Sequence, residues 1–178
     1  MHVQTLTRDS KTYCSYPDSV CVYELSSYNP LPVVHVSFEN HQSNVSLVSS
    51  ACSNSTRSAS FLGITRANIG MLYRAEARVV GKISSLSCSS GSLTIEPSSK
   101  RRSLTFVIAA GTSYAEGEGT AMTNYSFKGP DPGDYVATVA ASAAAKGSKA
   151  LLRRHIVDYS ALSSQFTLNL PDTAGSAR

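Results

Sequence analysis

The sequence predicts a mainly β protein, an antiparallel β-sandwich followed by a C-terminal helical linker. Short segments with apolar side chains at every second position recur up to about residue 127, separated by Ser, Gly, Asn and Pro turns. No segment with helical periodicity occurs before residue 134, which disfavours alternating β and α units. Alanine, the best helix former, is then the commonest residue, which predicts helix near the end of the chain.

Six segments form the predicted strand series. In DSVCVYELSS, Val20 and Val22 mark one face, and in LPVVHVSFEN, Val34, Val36 and Phe38 do so. The series continues with NVSLVSSAC, MLYRAEARVVG, SLTIEP and SLTFVIAAG. The last segment is almost entirely apolar, so we expect it to be a central strand that is covered on both faces.

Two helices are predicted after the loop KGPDPG. Asp134 is the expected N-cap of a helix over 135–146, and Gly147 is its expected stop. Ser148 is the expected cap of a second helix over 149–163. The spacing in the second helix predicts one buried stripe, formed by Leu152, His155, Ile156, Tyr159 and Ser163.

The segment QFTLNL after the second helix predicts a final strand. The chain is therefore divided into a sandwich over 1–133, a helical linker over 134–164 and a terminal strand and tail over 165–178. A length of 178 residues suits one core with an appended helical piece.

Composition disfavours two classes of partner. The net charge is only +4, and the one basic run, Lys100 to Arg102, lacks the aromatic interleaving of a nucleic-acid surface. No segment approaches the roughly 20 apolar residues of a membrane span. We therefore expect neither a nucleic-acid nor a membrane partner.

The four cysteines show no metal spacing and allow three pairings. Cys14 with Cys21 and Cys52 with Cys88 are the favoured bridges, because each closes a local segment.

Three N-glycosylation sequons begin at Asn44, Asn54 and Asn124, each in a polar context. Together with the cysteines they predict a secreted, extracellular protein. The opening MHVQTLTRDSKTYCSY has no apolar signal segment, so we expect a signal that has been removed or an interior piece of a longer protein.

His155 and Asp158 lie three residues apart in the second helix, so their side chains are neighbours. Such a pair could orient an imidazole as a base or hold a metal, but a metal site needs a third ligand that the sequence does not nominate. Arg154 offers Asp158 another partner. A structural or interface role is therefore the favoured interpretation.

Glu116 and Glu118 in YAEGEGT are the second candidate, because paired carboxylates perform glycoside hydrolysis. In an extended loop they could project from the same side, but the flanking glycines favour a solvated turn or, at most, a weak cation site. The sequence also lacks a G-x-S-x-G elbow and a glycine-rich phosphate loop. It therefore predicts no catalytic residue, no metal and no cofactor.

Several motifs resemble a known family. YCSYPDSVCVYEL, GMLYRAEARVVG, LTFVIAAGTSY and AAAKGSKALLRRHIVDYSALSSQFTLNL resemble, in the same order, the N-terminal region of glycoside hydrolase family 95, the α-L-fucosidases. The last segment is the most specific, because it is similar to the family's A-L-x-x-H-x-x-D-Y-x-x-L helix. Cysteines and sequons resemble the fungal, secreted branch.

The resemblance implies more than a fold class. Family members have an N-terminal β-sandwich, a helical linker, an (α/α)6 barrel with the catalytic acid and base, and a C-terminal β domain. This chain resembles only an incomplete sandwich and the linker, since the family's opening strands, with a tryptophan and a G-N-G segment, have no counterpart here. No catalytic residue transfers; His155, Asp158 and Tyr159 transfer as a linker or interface motif. Ser163 stands where the family usually has an aromatic residue.

The predicted function is therefore that of a non-catalytic N-terminal portion of a secreted α-L-fucosidase-like hydrolase, inactive alone, which braces the missing barrel. Its partners would be that barrel and, through the full-length enzyme, a fucosylated oligosaccharide. The alternative is a stand-alone carbohydrate-binding or lectin-like module; a purely structural secreted protein is a third possibility.

Overall fold

The computed structural model describes residues 8–39, 46–66, 70–98, 100 and 102–167. The strands are β1 Arg8–Ser15, β2 Val20–Ser27, β3 Val34–Val36, β4 Ser46–Ser53, β5 Ser58–Ile64, β6 Leu72–Val80, β7 Ser85–Ser89, β8 Ser92–Glu96 and β9 Ser103–Thr112. The helices are α1 Gly133–Lys146 and α2 Ser148–Ser163. Short 3₁₀ turns span Tyr16–Asp18, Glu116–Glu118 and Ala121–Thr123.

All strand pairs are antiparallel, and the strands form two sheets. The larger sheet has the order β1-β2-β9-β6-β5-β4 and the smaller sheet the order β3-β8-β7. An apolar core lies between the sheets and contains Leu31, Ala59, Val79, Leu93, Ile95, Leu104 and Phe106. The predicted antiparallel β-sandwich is therefore confirmed.

Strand β9 lies between β2 and β6 and separates two cores. Leu104 and Phe106 point into the core between the sheets, while Val107 and Ala109 point to the opposite face. On that face they pack with a second apolar cluster, made by Val20, Val22, Val136, Ala140, Ala143 and Leu151. Helix α1 thus covers the outer face of the larger sheet, and the expectation of a doubly covered central strand is confirmed.

Two disulfides occur, and they are the two pairs that the local spacing favours. Cys14–Cys21 links β1 to β2, where the two residues are direct partners in the strand register. Cys52–Cys88 links β4 of the larger sheet to β7 of the smaller one. The second bridge therefore holds the two layers of the sandwich together.

Both predicted helices are present, with different starts. Helix α1 starts at Gly133, whose N–H donates to Asp131 Oδ1 at 2.9 Å, so Asp134 lies inside the first turn and is not the N-cap. Ser148 is the first residue of α2, and no side chain caps that helix. Gly147 separates the helices with φ +76° and ψ 161°, a conformation that is essentially restricted to glycine.

Three strands were not predicted: β1 RDSKTYCS, β5 SASFLGI and β7 SLSCS. Serine is frequent in all three, and β1 also contains charged residues. In LPVVHVSFEN only Val34–Val36 is a strand. Of the predicted last strand, Gln165 lies in a turn and Phe166 and Thr167 are irregular, and the remainder lies outside the described residues.

Candidate interdomain interface

Helix α2 begins on the hairpin formed by β1 and β2. Leu151, in its first turn, is completely buried in the core beneath the larger sheet. The Tyr13 hydroxyl donates to the Ser148 carbonyl oxygen at 3.1 Å, which gives this partly buried hydroxyl a partner at the start of the helix. The Tyr13 ring also stacks on the His155 imidazole, with centroids 5.1 Å apart and planes inclined by 29°.

Asp18 is the central polar residue of this contact, and its side chain has no exposed surface. It lies in the 3₁₀ turn between β1 and β2 and accepts hydrogen bonds from Ser15 Oγ at 2.7 Å and Lys146 Nζ at 2.6 Å. Arg154 Nε donates to both carboxylate oxygens, at 3.0 and 3.1 Å. One carboxylate thereby joins the hairpin turn to the end of α1 and the middle of α2.

The environment of Asp18 favours its charged form. Burial raises the pKa of this carboxyl, but the hydrogen bonds from Lys146, Ser15 and Arg154 together lower it by more, so the net pKa is below its usual value. The pKa of Tyr13 is raised, first by burial and then by the nearby negative charges of Glu24 and Asp18. The contact is therefore built for an ionised Asp18 beside a neutral Tyr13.

Of the predicted motif His155, Asp158 and Tyr159, only His155 and Tyr159 have rings near each other. His155 is half-buried between Tyr13 and the more distant Tyr159 ring, whose centroid is 6.1 Å away. Asp158 instead lines a groove of about 460 Å³ beside Pro17. Arg154 binds Asp18 and not Asp158, so the expectation that it partners Asp158 is wrong.

The predicted buried stripe of α2 is wrong in its second half. Ile156, Tyr159 and Ser163 are exposed, and the fully buried residue is Leu151. The face that begins with Leu151 and His155 continues through Tyr159 and Leu162, which are each 63% exposed. The reason is geometric: the helix passes the edge of the sandwich after about two turns, so its C-terminal half extends beyond the described core.

Glu116 and Glu118 do not share one side of an extended loop. They lie in a 3₁₀ turn, in which residues two apart are rotated by about 240° about the axis. Both are exposed. The structure thus separates the paired carboxylates that the spacing suggested.

Sequence reasoning missed Asp18, Lys146 and Tyr13. Asp18 and Arg154 are 136 positions apart, and local periodicity contains no information on such a pair. The available signal was that both residues belong to the motifs SYPDSV and LLRRHIVDY, which carried the family resemblance. The structure shows that these two motifs contact each other.

Two kinds of feature are absent from the described residues. No helix in this part of the chain is both long and apolar enough to span a membrane. Within the same residues, no three His, Cys, Asp or Glu side chains are grouped so that they could hold a metal ion.

The fold defines a class, a two-layer antiparallel β-sandwich with a helical extension after the last described strand. The chain belongs to the glycosyl hydrolase family 65 N-terminal domain family, whose family model matches residues 3–117. The motifs of the sequence resemble family 95 and not family 65, but both resemblances are to the N-terminal domain of a glycoside hydrolase.

Two curated relatives support the α-fucosidase resemblance. "Probable alpha-fucosidase A" of Aspergillus oryzae is 40% identical over 168 residues, which are 92% of this chain and 22% of the relative. The protein of the same name from Aspergillus niger is 38% identical over 95% of this chain and 21% of its own length. The chain thus spans about a fifth of the length of these relatives.

A solved structure shares the fold. It is titled "Putative kojibiose phosphorylase from human microbiome", and it aligns with a TM-score of 0.58 and 8% sequence identity. The alignment covers 86% of this chain and 21% of that protein. This likeness shows the sandwich architecture alone.

Proposed function

We propose that the chain is the non-catalytic N-terminal sandwich of an α-L-fucosidase-like glycoside hydrolase and that α2 binds the catalytic domain of that enzyme. The observation that carries this proposal is the continuation of the apolar face of α2 beyond the sandwich. The substrate, a fucosylated oligosaccharide, would be bound and cleaved by the catalytic domain.

The exposed part of α2 is unusually apolar for a solvated helix. Ile156, Tyr159 and Leu162 are exposed along one side of the helix, Phe166 follows just after it, and Val157 is exposed on the other side, with exposed fractions between 52% and 73%. Contiguous apolar patches on soluble proteins mark interaction sites. Because the fungal relatives are more than four times as long as this chain, most of their length is available to cover such a face.

The three residues of the helix motif take different roles in this proposal. His155 fixes α2 to the sandwich through its stack on Tyr13. Tyr159 lies on the exposed C-terminal half of the helix, where it contacts the next domain, whereas Asp158 lines the groove beside Pro17. The linker, 134–164, thus consists of one helix that is attached to the sheet and one helix that extends from it.

A chimaera tests this proposal. The matched N-terminal segment of the Aspergillus oryzae protein is replaced by this chain, and hydrolysis of 4-nitrophenyl α-L-fucoside is measured for the chimaera and for the isolated chain. We expect turnover by the chimaera and none by the isolated chain. Turnover by the isolated chain would show that the non-catalytic assignment is wrong.

The interface is tested with paired variants of the chimaera. Leu162→Asp with Phe166→Asp should lower its thermal stability and expose the linker to limited proteolysis, because charges then face the catalytic domain. Val33→Asp is the matched control, since Val33 is 48% exposed on the sandwich and away from α2. Equal effects of the two changes would exclude α2 as the interface.

We also propose that the protein is secreted and carries N-glycans on Asn54 and Asn124. The two disulfides are typical of an oxidising compartment. Asn54 lies in the exposed turn between β4 and β5, and Asn124 lies in the exposed loop after β9. Asn44 lies outside the described residues. Intact-mass measurement of protein from the medium of a fungal host, before and after glycosidase treatment, tests both sites.

A further inference from the structure

We propose that a groove between Tyr114 and Tyr135 is a binding site for a neutral pyranose ring. The groove has a volume of about 300 Å³ and lies where the end of β9 meets the start of α1. That volume is at the lower end of the range of ligand pockets, about 300 to 1,000 Å³, which suits a single sugar unit. The proposal goes beyond the function proposed above, because it concerns this chain whether or not a catalytic domain is attached.

Tyr114 forms one wall of the groove and is part of an aromatic pair. Its ring is stacked on Phe127, with centroids 5.9 Å apart and planes within 8° of parallel. The stack covers only one face of the ring, and 55% of the residue remains exposed. An aromatic face of this kind attracts the weakly positive C–H groups of a sugar ring.

The aromatic pair is held by the backbone around it. The Ala115 N–H donates to the Phe127 carbonyl oxygen at 2.9 Å, and the Gly129 N–H donates to Ser113 at 2.7 Å, which makes a short antiparallel ladder. A Cβ atom at Gly119 would lie only 2.1 Å from the Phe127 ring, so the ring packs directly on the backbone there. The pair of Tyr114 and Phe127 is therefore ordered before any ligand binds, which lowers the entropic cost of binding.

The loop also contains unusual backbone conformations. Asn124, Tyr125 and Phe127 have positive φ angles of 52°, 55° and 52°. For bulky side chains this conformation is strained, and such strain is typical of segments whose shape serves a function. It agrees with a loop whose conformation places Phe127 behind Tyr114.

The opposite wall of the groove supplies polar groups. Tyr135, in the first turn of α1, is 54% exposed. Next to it, the Asp131 carboxylate forms a bidentate ion pair with Arg74, with Nε and Nη2 each 2.5 Å from one oxygen, and accepts the Gly133 N–H. Of about four acceptor positions on a carboxylate, three are occupied, which leaves one for a sugar hydroxyl.

The charge of this wall favours a neutral ligand. The hydrogen bond from Arg74 lowers the pKa of Asp131, and burial opposes it only in part. Asp131 is thus ionised at neutral pH and is balanced by Arg74. A ligand with hydroxyl donors and an apolar ring face fits this combination, whereas an anionic ligand would meet the carboxylate.

The test uses the 178-residue chain, made in a bacterial host that forms disulfides but adds no N-glycans, because the sequon at Asn124 lies in the same loop. The probes are methyl α-L-fucopyranoside and methyl β-D-galactopyranoside. Sorbitol is the control ligand, because it has the hydroxyl groups but no ring. Saturation-transfer NMR identifies the contacting protons, and titration calorimetry measures affinity.

We expect saturation of the ring C–H protons of at least one pyranoside and dissociation constants in the millimolar range. Tyr114→Ala and Tyr135→Ala should each weaken binding about two- to tenfold, the value of one aromatic contact. Tyr28→Ala is the matched control, because Tyr28 is 78% exposed elsewhere on the sandwich, and it should leave binding unchanged.

Three results would overturn the proposal. The first is no saturation transfer to either pyranoside at about 100-fold excess over protein. The others are saturation transfer to sorbitol equal to that to the pyranosides, or a loss of affinity in Tyr28→Ala equal to that in the groove variants. Thermal unfolding of each variant shows whether it is folded. Because Tyr135 lies on α1 and outside the loop ladder, its variant keeps the test valid if Tyr114→Ala does not fold.

Discussion

Arg154 donates hydrogen bonds from Nε to both carboxylate oxygens of Asp18, at 3.0 and 3.1 Å, across 136 residues of sequence. The same side chain reaches the Pro17 carbonyl oxygen through Nη2 at 3.4 Å. The turn between β1 and β2 thus contacts the middle of α2. The direction of α2 relative to the sandwich depends on this contact, and several consequences can be measured.

Replacement of Asp18 by Asn should destabilise the chain by about 2 kcal/mol, because it removes a buried charge from three hydrogen-bonded donors. The effect is below that of a fully buried pair, since Lys146 and Arg154 are 41% and 46% exposed. Urea unfolding at pH 7 measures it. Asp9→Asn, on the exposed strand β1, should change stability by less than about 0.5 kcal/mol. Equal effects would contradict a special role for Asp18.

The Asp18 contribution should disappear in acid. Its pKa is lowered in the folded state, because hydrogen bonds from Lys146, Ser15 and Arg154 outweigh the opposing effect of burial. The unfolded chain therefore binds the proton first, near the ordinary value of about 3.9, and the stabilisation is lost as the pH falls through the folded pKa.

Unfolding curves at a series of pH values test this sign. The difference in stability between the natural chain and Asp18→Asn should be constant above about pH 5 and should shrink below it. The variant should keep part of the acid sensitivity, because the pKa of Asp131 is lowered by Arg74 in the same direction. A difference that grows as the pH falls would refute the assignment.

His155 should be replaceable by Phe but not by Ala. The structure gives the imidazole a stacking role on Tyr13, which a phenyl ring can also fill. We expect His155→Ala to cost about 1 kcal/mol and His155→Phe to stay within about 0.5 kcal/mol of the natural chain. If Phe destabilised as much as Ala, a polar function of the histidine would be required.

The isolated chain should self-associate through the exposed end of α2. Sedimentation velocity over a range of concentrations should show a rising average mass, because Tyr159, Leu162 and Phe166 are each more than 60% exposed. Leu162→Lys with Phe166→Lys should return the chain to a monomer, whereas Val33→Lys should not. Association that survives the double change would point to the sheet edges β1 and β4 instead.

The two disulfides should differ in their contribution to stability. Loop-closure entropy predicts about 3.8 kcal/mol for the 36-residue separation of Cys52–Cys88 and about 2.4 kcal/mol for the 7-residue separation of Cys14–Cys21. The former also connects the two sheets. Paired Cys→Ala variants, compared by urea unfolding, should therefore rank in this order, and the reverse order would show that chain entropy is not the main term.

Segments with a strong local signal were predictable. The almost wholly apolar β9 was identified as a central strand, and both helices were found, because an alanine-rich run and Gly147 define their limits. Strands β1 and β7 were missed because a strand at a sheet edge needs no apolar alternation. Strand β5 was missed for a different reason: its first residues are small and its alternation is short.

The contact between α2 and the sandwich could not be predicted as a geometry. His155 is half-buried against Tyr13, but the buried extent of α2 depends on where the sandwich ends, which no periodicity in the helix encodes. The role of Asp18 could not be predicted for a related reason. Its partners come from two helices that only the complete fold brings to the hairpin.

A change of backbone angle at Gly147 moves the far end of α2 much more than its start. The helix has 16 residues and is therefore about 24 Å long, so a rotation of about 10° at the glycine would displace its far end by about 4 Å. The bonds between Asp18 and Arg154 hold this helix near its middle. The position of Leu162 is consequently set by a few atoms in the first half of the helix, and a small displacement there is magnified at its far end.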